Sequence, residues 1–375
     1  MKIPKTIGLP RMQVEAGEKR VFLPNFVAYL TELGLHVFLE EGYGSRLGYS
    51  FDSFRRGSEY IHQGTREITF SQDLVLILRA PKMIEYAKLA PESTLISMLH
   101  FPTRPGRVEK LTEMQIKAIS LDSIVDDYNV RRIENMRAVS WNGLEVGFDL
   151  LAEDFPDLVK PDGRPFQVLV LGTGMVGKDA VEAGTKLGNI ERYNDHLKQG
   201  GPGAISISIG RAVSKNPEQM KALMQSADIL VDATQRRDPY LPVIPNEWLG
   251  WLPEHAVIVD LAVDPYLPQH TPPTVRGVEG IPQGNLDQYI FAPDDPKWCA
   301  TIPAGVPVQN RRRTVTCYSW PGIHPEACME HYARQLSPFV KVLAEKGYDQ
   351  LSLDGDYFER ALYRGTIKSF LESTI

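Results

Sequence analysis

Phe166-Gln167-Val168-Leu169-Val170-Leu171 runs without a break into Gly172-Thr173-Gly174-Met175-Val176-Gly177, and then into the helix-like stretch Lys178 to Leu187. The first six residues are a near-continuous apolar run, the pattern of a strand covered on both faces in a parallel sheet. Strand, G-x-G-x-x-G turn and helix, in that order, form the fingerprint of a dinucleotide-binding βα unit, whereas the glycines alone would mark only a turn. Each glycine has a physical task there. Gly172 makes the tight turn, Gly174 lets a pyrophosphate approach the backbone, and Gly177 lets helix pack on strand. Thr173, Met175 and Val176 complete the loop, and the helix N-terminus stabilises the phosphates.

Downstream the pattern departs from the fingerprint. The second strand should end in an acidic residue for the adenosine ribose, about 20 residues after the glycines. Instead a polar insertion containing Gly200, Gly201 and Gly203 separates Gly188 from Ala204, and the next strand, Ile205 to Ile209, ends in Gly210 and Arg211. An arginine at that tip can pair with a 2′-phosphate in bidentate fashion, which places NADP level with or ahead of NAD as the cofactor. The alternatives are a solvated Arg211, and ribose binding by Glu191 or Asp195 should the strand assignment be one element late. Ile229 to Val231 and Ala256 to Leu261 read as later strands, and Pro265 to Tyr318, with the triplet Arg311, Arg312 and Arg313, reads as a long, partly irregular excursion.

Upstream, Thr6 to Leu9, Pro24 to Leu33, His36 to Leu39 and Leu74 to Leu78 alternate strand and helix patterns, continued by Thr94 to Met98 and Lys117 to Leu121. That βαβ rhythm predicts a second parallel sheet. A helix over Asn135 to Ala152 is the candidate hinge, and Glu326 to Lys346 returns to helical spacing. The expected architecture is α/β, with two Rossmann-like domains flanking a cleft: residues 1–135 plus 326–375 as the substrate domain, and 136–325 as the dinucleotide-binding domain. The length of 375 residues fits two domains. A formal charge of -6 offers no broad basic surface for nucleic acid, which leaves small molecules as the expected partners. Three cysteines without metal-ligand spacing suggest neither a disulfide framework nor a metal site, and the lack of a signal-like start or a long apolar run suggests a cytoplasmic protein without a membrane span.

Several motifs then converge. Ile7-Gly8-Leu9-Pro10-Arg11, Glu18-Lys19-Arg20-Val21-Phe22-Leu23-Pro24, Leu78-Arg79-Ala80-Pro81, Leu99-His100, the glycine loop, Val259-Asp260-Leu261-Ala262-Val263-Asp264 and Trp320-Pro321-Gly322-Ile323-His324-Pro325 together resemble the alanine dehydrogenase and transhydrogenase-alpha family. Saccharopine dehydrogenases of the short lysine-forming type share that architecture. The resemblance implies that Arg20 holds the substrate carboxylate, that His100 exchanges the proton, and that Asp264 lies by the nicotinamide ribose and stabilises a cationic intermediate. It also sets Ala233, Thr234, Leu261 and Pro321 along the cofactor, and implies a homo-oligomer. Without it, Arg20 would pair with an acid such as Glu18, His100 would be structural, and Asp264 would cap the turn at Pro265.

Arg79 stands where the dehydrogenases carry lysine. It cannot share acid–base work, but it can clamp a carboxylate or polarise a carbonyl. Lys82, three residues on, reads as an exposed lysine, or as a further substrate-binding cation if the strand is irregular there. The reading is an NAD(P)-dependent oxidoreductase acting on CH-NH2 or CH-NH donors, running reversible reductive amination of a 2-oxo acid. The alternatives are a saccharopine- or opine-type dehydrogenase, whose amine is itself an amino acid, and a non-catalytic nucleotide binder.

Overall fold

Thr6–Leu9 (β1), His36–Glu40 (β2), Ile61–Gly64 (β3), Leu74–Arg79 (β4), Thr94–Met98 (β5) and Lys117–Ser120 (β6) hydrogen-bond into one sheet in the order β3-β2-β1-β4-β5-β6. Every pairing in it is parallel. The computed structural model describes residues 3–13, 15–236, 238–267 and 269–373. It divides into two units, Met1–Asn135 with His324–Ile375, and Met136–Ile323.

In the first unit the chain runs outward from β1 to β3 on one side and from β4 to β6 on the other. That reversal between β1 and β4 is a topological switch point, and ligands in open α/β sheets bind beyond the carboxyl ends at such a point. Helix Pro24–Glu32 begins on proline and buries Pro24, Phe26, Val27 and Leu30, and the long helix Pro325–Lys346 adds Met329, Leu336, Phe339 and Val340 to the same core. Full burial of such side chains stabilises by roughly 1.5–3 kcal/mol each. Strand β3 lies outside the sequence expectation. Its residues, Ile61-His62-Gln63-Gly64, hold one large apolar side chain, so no run announces it.

The second unit contains Phe166–Leu171 (β7), Ala204–Ile209 (β8), Ile229–Asp232 (β9), Val257–Asp260 (β10), Ile290–Phe291 (β11) and Arg313–Thr316 (β12), ordered β11-β12-β10-β9-β7-β8. All pairings are parallel except β11 with β12. Its switch point falls between β7 and β9. Helix Met136–Asp154 belongs to this unit, and a Cβ on Gly143 would stand 2.4 Å from the Leu261 Cδ2, so a larger residue there would displace the leucine side chain.

The structure gives two segments a form that the sequence left open. The polar stretch after Gly188 is a helix, Ile190–Lys198, capped by Asn189, whose side chain accepts from the N–H groups of Glu191 and Arg192. The excursion from Pro265 closes in a sheet strand: β12 pairs residue for residue with β10, from Val257↔Arg313 to Asp260↔Thr316. Arg-Thr-Val-Thr has too little apolar character to be read as central. The arginine triplet ties this segment down, Arg312 donating to the carbonyls of Pro253 and Leu252, and Arg313 to those of Leu150 and His255. Among the described residues no helix is long and apolar enough to cross a membrane, and no group of three His, Cys, Asp or Glu is placed to hold a metal.

Candidate functional site

A cavity of about 810 Å³ opens at the carboxyl ends of β7, β8 and β9, inside the second unit. Gly172, Thr173, Gly174, Arg211, Ala233 and Thr234 line it. Gly172 turns with φ +109°, where a Cβ would lie 2.5 Å from the Ala233 carbonyl oxygen. A Cβ on Gly177 would lie 2.3 Å from the Gly172 oxygen, so this glycine lets the helix meet the turn. A Cβ on Gly174 meets nothing within 4 Å. Gly174 is also the N-cap of helix Met175–Thr185 and makes no side-chain cap, which leaves the first-turn amides to an anion. Open space above Gly174, closed space at its two neighbours and uncapped amides fit a dinucleotide pyrophosphate.

Two carboxylates hold up the loops around this cavity. Asp232 ends β9, and its Oδ1 accepts from the N–H (3.0 Å) and hydroxyl (2.7 Å) of Thr234, setting the turn that places Ala233 beside Gly172. Asp260 stands level with it on β10. Its Oδ1 accepts from Val263 N–H at 2.9 Å, and its Oδ2 from Thr316 at 2.9 Å and from the buried Arg276. Burial, and after it the charge of Asp260, push the Asp232 carboxyl up to about 7, and its Oδ2 has no hydrogen-bond partner among the described residues. Asp264 follows the Val263 turn. It does not cap Pro265: its carboxylate accepts from Arg236 Nε at 2.9 Å.

In the first unit, β4 and β5 bring Arg79 and His100 to one sheet edge. Arg79 is the last residue of β4, set opposite Met98 after a register slip. His100 follows β5 with φ +53°, a backbone conformation that costs a non-glycine residue on the order of 1 kcal/mol or more. Asp122 holds it there. The His100 N–H donates to Asp122 Oδ1 (3.1 Å) and Ser120 Oγ (3.2 Å), while its Nδ1 lies 3.1 Å from Asp122 Oδ2. Burial raises the Asp122 carboxyl, but the bonds from His100 and Ser120 outweigh it and hold the group at about 2. The imidazole is 45% exposed, so its other nitrogen has access to a ligand.

Arg20 lies on the loop between β1 and helix Pro24–Glu32, buried rather than at a strand end. Its Nε donates to Glu18 Oε1 at 2.9 Å and its Nη2 to Oε2 at 2.5 Å. Burial works against the Arg20 charge, and the bond and attraction to Glu18 more than restore it. Glu18 is itself buried, so the pair is internal rather than a surface one. Glu15 bonds Arg79 and stands 3.9 Å from Arg20, which puts one carboxylate between the two arginines. Lys82 is exposed and caps the following 3-10 turn through its backbone, with Glu85 Oε2 accepting from its N–H at 3.1 Å.

A family model described as the N-terminal domain of alanine dehydrogenase/PNT matches residues 8–140, and the model for the C-terminal domain of the same family matches 160–265. The chain belongs to the alanine dehydrogenase/PNT family. The NAD(P) transhydrogenase subunit alpha of Haemophilus influenzae is 22% identical over 96% of this chain and 69% of its own length. Alanine dehydrogenase 1 of Staphylococcus aureus is 22% identical over 67% of this chain and 71% of its own. The fold matches a solved L-alanine dehydrogenase with a TM-score of 0.70 at 19% identity, over 99% of this chain and 100% of that one. It matches a transhydrogenase from Sinorhizobium meliloti at 0.63 and 14%, over 95% and 97%. The family is one of nicotinamide-dinucleotide oxidoreductases.

Of the residues expected at the cofactor, the cavity gathers Gly172, Thr173, Gly174, Arg211, Ala233 and Thr234. Met175, Val176, Gly177, Leu261, Asp264 and Pro321 stand outside its lining. Leu261 is buried in the unit's core, and Pro321 lies in the 3-10 turn Trp320–Ile323. Glu191 and Asp195 sit on helix Ile190–Lys198, not at a strand tip, because β8 is the strand that pairs with β7. Sequence reasoning missed Asp122, Glu15 and Arg236. Asp122 alone left a trace, an acid just past an apolar strand; the other two lie in loops with no periodicity.

Proposed function

We propose that this chain is an NAD(P)-dependent amino-acid dehydrogenase that reversibly aminates a 2-oxo acid. The observation that carries the reading is the His100–Asp122 pair standing with Arg79 at the carboxyl edge of β4 and β5. A histidine fixed by a carboxylate can give and take a proton near neutral pH. Ammonia adds to the substrate carbonyl, His100 protonates the departing oxygen as water, and Arg79 holds the carboxylate. Asp264, paired with Arg236, belongs to the nucleotide-binding unit, where the family resemblance sets it by the nicotinamide ribose. The nicotinamide supplies the hydride, and the glycine turn with Ala233 and Thr234 binds its dinucleotide. Arg20, tied to Glu18, orders the loop and presents no free fork to a substrate.

A second reading is a saccharopine- or opine-type enzyme, favoured by Glu15 beside Arg79. An amino acid used as the amine brings both charges, and this pair offers a partner to each. The test mixes protein with NADH or NADPH, ammonium and a panel of 2-oxo acids, and repeats it with amino acids as amines. Oxidation of cofactor with ammonium supports the first reading, and oxidation only with amino acids the second. Nucleotide binding without turnover in any mixture overturns both in favour of a non-catalytic binder.

A further inference from the structure

The strand β8 is in register with β7 along its whole length, from Phe166↔Ala204 to Leu171↔Ile209. Its tip, Gly210 and Arg211, therefore stands level with the glycine turn. In a dinucleotide fold that tip faces the 2′-position of the adenosine ribose, and its chemistry decides which nucleotide is taken. Three side chains of this tip reach the cavity: Arg211, Ser214 and Lys215. They follow one another on helix Arg211–Ser214 and its C-cap Lys215, which is also helical in backbone. Residues three and four apart on such a turn share one face.

The tip carries no carboxylate, and neither cation is already satisfied. Among the described residues Arg211 and Lys215 have no acidic partner within ion-pair distance, unlike Arg236, held by Asp264, and Arg276, held by Asp260. Two unpaired cations and a hydroxyl on one face are a poor host for neutral ribose hydroxyls and a good one for a phosphate dianion. The one acid in the cavity lining is Asp238, on the loop after β9, whose carboxylate accepts from Tyr240 N–H at 2.9 Å.

We propose that Arg211, Ser214 and Lys215 form a subsite for the 2′-phosphate of adenosine, so that this chain takes NADP(H) in preference to NAD(H). The inference rests on the reading of the second unit as the nucleotide-binding half. Fluorescence titration of the full chain with NADPH and NADH, and competition by 2′,5′-ADP against AMP, test it. NADPH binds ~10-fold or more tightly than NADH, and 2′,5′-ADP displaces it better than AMP, the scale of one or two charge-assisted bonds. Arg211→Ala with Lys215→Ala brings the two nucleotides to similar affinity by weakening NADPH alone, and the exposed positions leave the melting temperature in place. Equal binding of both nucleotides by the parent chain, or an unchanged ratio in the double variant, overturns the subsite while the nucleotide site stands. Tight NADH binding that Asp238→Ala abolishes moves ribose recognition to the opposite wall and also overturns it. Binding of neither nucleotide removes the parent reading and this one together.

Discussion

One carboxylate grips His100 twice: Asp122 Oδ2 lies 3.1 Å from its Nδ1, and Asp122 Oδ1 accepts its backbone N–H at 3.1 Å. The first contact sets the ring, because an ionised carboxylate can only accept and Nδ1 must then carry the proton. The second holds the left-handed backbone that aims the ring. Asp122 keeps its charge down to pH about 2, so the grip persists throughout the neutral range.

Removing each partner should therefore give different losses. His100→Ala lowers kcat by ~10²–10⁴, the usual worth of a general acid–base group, with nucleotide affinity unchanged. Asp122→Asn keeps the imidazole and an acceptor for the His100 N–H but turns the oxygen facing Nδ1 into an amide donor, which releases the tautomer, so kcat falls by less, roughly ten-fold, while the fold survives. Steady-state rates beside NADPH titrations check both, and an Asp122→Asn variant with full kcat would leave His100 without need of its partner.

The glycine turn separates binding from stability. A side chain on Gly174 meets no protein atom, so Gly174→Asp should fold with a normal melting temperature and lose NAD(P)H binding, its carboxylate facing the pyrophosphate. A Cβ on Gly177 meets the Gly172 carbonyl, so Gly177→Ala should cost stability, about 1–3 kcal/mol as overpacking does. Calorimetry and fluorescence titration on both variants make the comparison, and unchanged affinity in Gly174→Asp would remove the loop from the site.

The same turn shows why some of the molecule is legible in the sequence and some is not. Phe166 to Leu171 is apolar on both faces and is followed by glycines whose tasks are local, so strand, turn and helix could be read from adjacent residues. The fold class followed from repeats of that rhythm. Strands β3 and β12 escaped because their place in the sheet comes from backbone pairing and long-range partners, not from apolar runs. The polar residues Ile190–Lys198 form a helix because Asn189 caps it, a signal that Gly200 to Gly203 masked. Arg20 and Arg79 were legible as charges, but their engagement by Glu18 and Glu15 depends on how the loop after β1 folds, which no spacing encodes.

Asp232 ties stability to pH. Its carboxyl is raised from an ordinary value near 4 to about 7, so the folded chain binds this proton more tightly than the unfolded one. The stability from this group is fully present below pH about 4 and is lost as pH rises through about 7. The parent chain should thus lose melting temperature between pH 5 and pH 8, and Asp232→Asn, which still accepts from Thr234, should lose less. A difference of roughly 2–4 °C corresponds to 1 kcal/mol for a unit of this size. Parallel pH dependence in both proteins would show that Asp232 does not titrate there.

Glu15 decides what Arg79 is for. Its carboxylate already sits on the guanidinium where a substrate carboxylate would bind, so a 2-oxo acid must displace it. On the amination reading Glu15→Gln removes a competitor, and KM for the oxo acid falls several-fold at unchanged kcat, because binding common to ground and transition states appears in KM. Arg79→Ala moves KM the other way, by roughly ten-fold, since a third-exposed cation is partly screened. On the opine-type reading Glu15 is itself a substrate contact for the ammonium of an amino acid, and Glu15→Gln raises KM for the amine instead. The sign of one change thus separates two reactions. Arg79→Lys adds a further arm: it places a titratable ammonium at the strand end, and a gain of alanine formation from pyruvate and ammonium would mean that arginine had turned an otherwise ordinary site toward a different acid. Unchanged KM for every substrate in both Glu15→Gln and Arg79→Ala would remove this edge of the sheet from substrate binding.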